Sequence, residues 1–94
     1  MTNPVDIRRK QLAFRASHRG FKEADLVLGG FASANLPGMS EAELDEFDQL
    51  LGLADQDIYD WVMDRARPDT NEHDALIARI RAFVKGGGAV VDRA

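Results

Sequence analysis

The sequence contains no cysteine, which removes disulfides, thiolate metal sites and thiol catalysis together. No apolar run approaches the ~18 residues a membrane span needs, so no membrane insertion is expected. Residues 1–6 lack the basic start and apolar stretch of a secretory signal. The expected location is the cytoplasm, or the mitochondrial matrix if a transit peptide has been removed. Ninety-four residues allow one domain, which buries roughly 60–65% of its unfolded surface and leaves little room for a walled substrate pocket.

Catalytic signatures are also missing. His18 and His73 are far apart, and neither has a ligand-spaced companion. The run Asp55-Gln56-Asp57-Ile58-Tyr59-Asp60 starts like a calcium loop but places Tyr59 at the third ligand position and Asp60 at the turn glycine. Neither Gly29-Gly30 nor Gly86-Gly87-Gly88 lies between a strand and a helix, as a phosphate-binding loop would. The reading from these absences is a non-enzyme, with no catalytic residue, no metal and no cofactor of its own.

The charge is unevenly distributed. Residues 1–22 set Arg8, Arg9, Lys10, Arg15, Arg19 and Lys22 against Asp6 alone, a net of +5. Residues 23–64 hold eleven acidic side chains and no basic one, and residues 65–94 carry +2. Such blocks predict one basic and one acidic face, suited to oriented docking on another protein. Nucleic acid is a poor fit. A helix–turn–helix cut from residues 4–35 would lead its groove-entering helix with Lys22, Glu23 and Asp25, and the two acids repel the duplex.

Helical periodicity accounts for the apolar residues, and no segment shows the alternation of a strand. Asn3-Pro4 is an N-cap followed by proline at the first helical position. It opens a first helix with Val5, Leu12 and Ala16 on one stripe and Ile7 and Phe14 on the next. Gly20 breaks it, supplying a turn conformation closed to other residues. A second helix runs from about Phe21 to Ala34, with Gly29-Gly30 read as a place of close helix packing in preference to a hinge. Ser40 and Glu43 form a capping box for a third helix, closed by Gly52. Asp55 is read as the cap of a fourth helix that must stop before Pro68. Asn71 is read as the cap of a fifth, with Leu76, Ile77, Ile80, Phe83 and Val84 in its stripe. The fold is therefore an all-α, compact single-domain bundle of five short helices over residues 1–85, with 86–94 as a flexible Gly-rich tail.

The boundary between the basic and acidic blocks, Arg19-Gly20-Phe21-Lys22-Glu23, is the most distinctive segment. Arg19 offers a planar fork for carboxylates or carbonyls, Gly20 leaves backbone bare, and Glu23 lies in the favourable first turn of a helix. Two readings stay open from the residues alone. Either Gly20 only turns the chain while Arg19 and Glu23 pair, or the segment meets another protein.

Arg19-Gly20-x-x-Glu23, Asp25-Leu26-x-Leu28-Gly29-x-Phe31-Ala32, Glu43-Leu44, Phe47-Asp48-x-Leu50-Leu51 and Asp55-x-Asp57-Ile58-Tyr59-Asp60-Trp61-Val62 followed by Pro68 occur in that order. Together they resemble the succinate dehydrogenase flavinylation factors, also called assembly factor 2, over about residues 8–84. The resemblance implies a five-helix chaperone that binds the flavoprotein subunit of succinate dehydrogenase and promotes covalent attachment of FAD to a histidine there. Some members also serve fumarate reductase. It implies partner contacts at Arg19, Gly20 and Glu23, to which the neighbouring Arg15, His18 and Phe21 are added. Phe21 and Lys22 in the variable positions, and His18 where many members carry another basic residue, depart from the family pattern. FAD would belong to the client, and the chain is expected to be monomeric. Two alternatives are an antitoxin-like partner in a toxin–antitoxin pair and a free-standing FAD-binding protein.

Overall fold

Asn3 accepts the Val5 N–H at 2.8 Å and opens α1, Pro4–Ala16, with the proline where its missing donor is harmless. In the computed structural model, which describes residues 3–89, four more α-helices follow. These are α2 (Lys22–Asn35), α3 (Glu41–Leu51), α4 (Asp55–Val62) and α5 (Asp74–Lys85). A 3-10 turn, Leu36–Gly38, continues α2 towards α3, and there is no strand among the described residues. The all-α, five-helix architecture expected from the sequence is the one that forms.

Helix α2 lies against α1, α4 and α5 and supplies the centre of the core. Its Phe31 ring sits 5.9 Å from Phe47 of α3 and meets Phe83 of α5 edge-on at 5.8 Å. Leu12 and Ala16 of α1 are buried as their stripe predicts, whereas Ile7 and Phe14 on the adjoining stripe remain exposed. A β-carbon on Gly29 would stand 2.7 Å from Ser17 Oγ and 3.2 Å from Ser17 Cα. The glycine therefore admits the end of α1, and α2 runs through it unbroken.

Two helix starts differ from expectation, while the end of α4 respects the limit set by Pro68. Ala54, not Asp55, is the N-cap of α4, because the Asp55 carboxylate is engaged by the α1–α2 connection. Helix α4 ends at Val62, well before Pro68. Asp64, at φ 61°, forms a Schellman cap in which Arg65 N–H donates to Asp60 O at 2.8 Å and Asp64 N–H to Trp61 O. His73, not Asn71, precedes α5; Asn71 contributes its carbonyl, which accepts the Asp74 N–H.

The C-terminal glycines are also structured where they are described. Gly87, at φ +85°, Gly88 N–H on Phe83 O at 2.9 Å and Gly87 N–H on Val84 O at 3.0 Å make a second Schellman cap. Ala89 packs against the core. The segment read as a flexible tail from Gly86 thus begins as the cap of α5, and residues 90–94 lie outside the described residues.

Candidate functional site

The connection between α1 and α2, residues 17–21, is held by one carboxylate. Asp55 Oδ1 accepts from Arg19 Nε at 2.8 Å and from Arg19 Nη2 at 2.6 Å, while Asp55 Oδ2 accepts the Gly20 N–H at 2.6 Å. The guanidinium also donates to Leu51 O at 2.7 Å and to Arg15 O at 3.2 Å. The Arg19 N–H donates to the Asp25 carboxylate. With its side chain 11% exposed against 22% for Asp55, Arg19 is largely sheltered, and all three of its nitrogens are already used within the chain. A shielded, doubly bonded pair of this kind is held more firmly than the exposed ion pairs of a typical surface.

Gly20 has no positive φ, so it is not the left-handed turn residue expected from the sequence. Its glycine character has another physical cause. A β-carbon there would stand 3.0 Å from Asp55 Oδ2, so the carboxylate that accepts the Gly20 amide would have to give by a few tenths of an ångström. Phe21 packs inward, its ring edge-on to Tyr59 of α4 at 5.3 Å. The Arg19-Gly20-Phe21 segment and the Asp55–Tyr59 turn, separated in the chain, are therefore one unit. Arg19 does not pair with Glu23, which lies half-buried in the first turn of α2 with no ion pair among the described residues.

The remaining sequence candidates face outward. His18 is exposed, its ring stacked on Phe14 at 3.9 Å and its Nδ1 2.7 Å from Phe14 O. Phe14 itself is 63% exposed, an unusual position for a large aromatic and one that composition did not single out. Beside it runs an open groove of ≈ 550 Å³ lined by Lys10, Gln11, Phe14, Arg8, Arg15 and Asp48. Arg15 reaches Asp48 Oδ1 at 2.5 Å, and Arg8 reaches Asp45 at 2.5 Å and Asp48 at 3.4 Å. The hydrogen bond from Arg15, aided by Arg8, holds the Asp48 carboxyl below the usual carboxylate range. In turn the hydrogen bond to Asp45 raises the Arg8 guanidinium pKa.

These pairs alter the expected division into a basic and an acidic face. Arg8, Arg15 and Arg19 of the basic segment are matched by Asp45, Asp48 and Asp55 of the acidic one, so much of the sequence asymmetry is answered inside the fold. Lys10 and Lys22 are the basic residues of that segment with no ion pair among the described residues. Asp55 and Asp25 were missed as members of the site. In the sequence Asp55 has the look of a helix cap, and nothing local reveals a partner in another helix.

Residues 10–84 match a family model described as flavinator of succinate dehydrogenase. Among curated proteins, the chain is 37% identical over 84 residues to the mitochondrial succinate dehydrogenase assembly factor 2 of Saccharomyces cerevisiae, covering 85% of this chain and 52% of that protein. It is 41% identical over 58 residues to the FAD assembly factor SdhE of Acetobacter pasteurianus, covering 62% of this chain and 53% of that one. A mitochondrial assembly factor 2 from Debaryomyces hansenii is 46% identical over 57 residues, 61% of this chain and 40% of its own. The chain spans about half the length of the curated relatives it matches.

Proposed function

The chain belongs to the family of flavinators of succinate dehydrogenase, and from that premise we propose that it binds the flavoprotein subunit of succinate dehydrogenase and promotes covalent attachment of FAD to a histidine of that subunit. The observation that carries this reading is the family match over residues 10–84, which takes in the C-terminal half of α1, all of α2, α3 and α4, and α5 up to its last residue. Fumarate reductase is a further client on the same reading. The protein acts as a monomeric, non-catalytic chaperone, with FAD held by the client.

Attachment needs a proton taken from the flavin methyl, attack by a histidine, and stabilisation of charge on the ring, all of which the flavin and flavoprotein can supply. The helper's contribution is geometric. Holding the reacting groups in place can lower a barrier by ~7–11 kcal/mol in favourable cases, and it requires no nucleophile from this chain. The docking surface we assign is the outer side of the α1–α2 connection, with Phe14 and Arg15 on the last turn of α1, His18 and the bare edge at Gly20 in the connection, and Glu23 at the start of α2. Exposed Phe14 beside charged groups has the character of an interface anchor with a polar rim. The chain works in the cytoplasm, or in the mitochondrial matrix; the name of the yeast relative calls that protein mitochondrial. Among the described residues no helix is long and apolar enough to cross a membrane.

Deleting the gene should leave the flavoprotein subunit synthesised but poorly flavinylated. Flavin fluorescence of denatured subunit in gels of wild-type and deletion cells measures this, and equal covalent flavin in both would overturn the assignment.

A further inference from the structure

We propose that Asp55 is the positioning residue of the docking surface, and that Arg19 and Gly20 serve docking through it. This inference rests on the proposed function and concerns a residue outside the Arg-Gly-x-x-Glu segment. Both Asp55 oxygens are committed to the connection, one to the Arg19 guanidinium and the other to the Gly20 amide. Arg19 carries the link onward to Leu51 O at the end of α3 and Arg15 O in the last turn of α1. One carboxylate therefore fixes the end of α1, the end of α3 and the start of α4 relative to one another.

The consequence is a division of labour. A partner approaching Gly20 meets exposed backbone whose N–H is already turned inward, and beside it a guanidinium with four of its five N–H donors committed within the chain. What Arg19 and Gly20 offer is the shape and placement of the connection. That placement brings exposed Phe14 and His18, at the end of α1, into a fixed relation with exposed Lys22 and half-buried Glu23, at the start of α2. Without the carboxylate, the sheltered guanidinium loses its counter-charge and the Gly20 amide its acceptor. The connection is then free to sample other conformations, and a partner must select the competent one, which weakens apparent affinity by the fraction populated. Asparagine at 55 keeps the volume but offers one acceptor oxygen for two sets of donors, so it cannot restore the arrangement. Glutamate keeps both oxygens on a longer arm.

The test is a titration of full-length protein into isolated flavoprotein subunit with FAD, following the rate of covalent flavin formation by fluorescence, with circular dichroism melting of each variant. Asp55→Ala and Asp55→Asn should remain folded at the assay temperature. The concentration giving half-maximal rate should rise about tenfold or more, with the rate at saturation within about twofold of wild type. Asp55→Glu should recover part of the loss. Folded variants that titrate like wild type would overturn the proposal, as would a loss that only tracks the unfolded fraction from the melting curves. Should Asp55→Ala unfold, Asp55→Asn decides by the same curve. Failure of the wild-type protein to raise covalent flavin at all is a different result, and it overturns the function as well.

Discussion

At the scale of a single residue, Gly20 separates fold from docking. Its φ is not in the left-handed region, so no backbone strain accompanies a side chain there. The cost common to all substitutions is the contact of a β-carbon with Asp55 Oδ2 at 3.0 Å, which a side-chain shift of a few tenths of an ångström relieves. Gly20→Ala should therefore lower stability by no more than ~1 kcal/mol and weaken flavoprotein binding by about threefold. Gly20→Arg adds bulk on the solvent side, where the partner is proposed to approach. It should melt close to the alanine variant yet lose binding and flavinylation. Melting curves and affinities of the two variants, measured side by side, make the comparison. Equal loss of binding in both would mean that loop geometry alone matters and that no partner surface comes close at Gly20.

At the scale of the element, the helices were legible because local chemistry specifies them, and they were misread where tertiary partners compete. Asn3, Ser40 with Glu43, and the buried stripes of α2, α3 and α5 behave as the sequence indicates. Asp55 looks like a cap but is drawn away by Arg19 and Gly20, some 35 residues distant. The sequence bounds the end of α4 by Pro68 but does not place it at Val62, because an aspartate occupies the left-handed position where glycine is the usual signal. The triple glycine ends α5 as the sequence indicates, but in place of a flexible start to the tail Gly87 takes the conformation a Schellman cap demands and Gly88 lies against the Phe83 ring. Gly87→Ala should thus cost ~1 kcal/mol through its positive φ. Ending the chain at Lys85 removes the cap outright and should lower the melting temperature by about 4–8 °C for each kcal/mol lost. Unchanged melting in both variants would return these residues to the status of a tail.

At the scale of the whole molecule, helix order and core could be read from periodicity, but the site depends on pairings across the fold that periodicity does not encode. Arg15 and Arg19 look alike in the sequence. One meets Asp48 at the surface with its side chain 43% exposed, and the other is sheltered against Asp55. The same long-range pairing links the outer helices through α3. Asp48 holds Arg15 and Arg8 of α1, and Glu43 holds Arg79 of α5 at 2.8 Å while closing the capping box with Ser40. Both carboxyls titrate below their ordinary values, Asp48 chiefly through the Arg15 hydrogen bond and Glu43 chiefly through the Ser40 backbone N–H.

Because the folded-state pKa of Asp48 is depressed, its contribution to stability is fully present above the ordinary aspartate value. It is lost as pH falls through the lower folded value. Asp48→Asn should therefore melt below wild type at pH 7, and the two melting curves should converge as the pH drops below about 4, where wild type loses the same interaction. The gap at pH 7 should be small, since the pair is exposed, and it should narrow further in high salt. A gap that stays constant from pH 7 to pH 3 would show that the asparagine acts through something other than charge, and that α1 is held to α3 by packing alone.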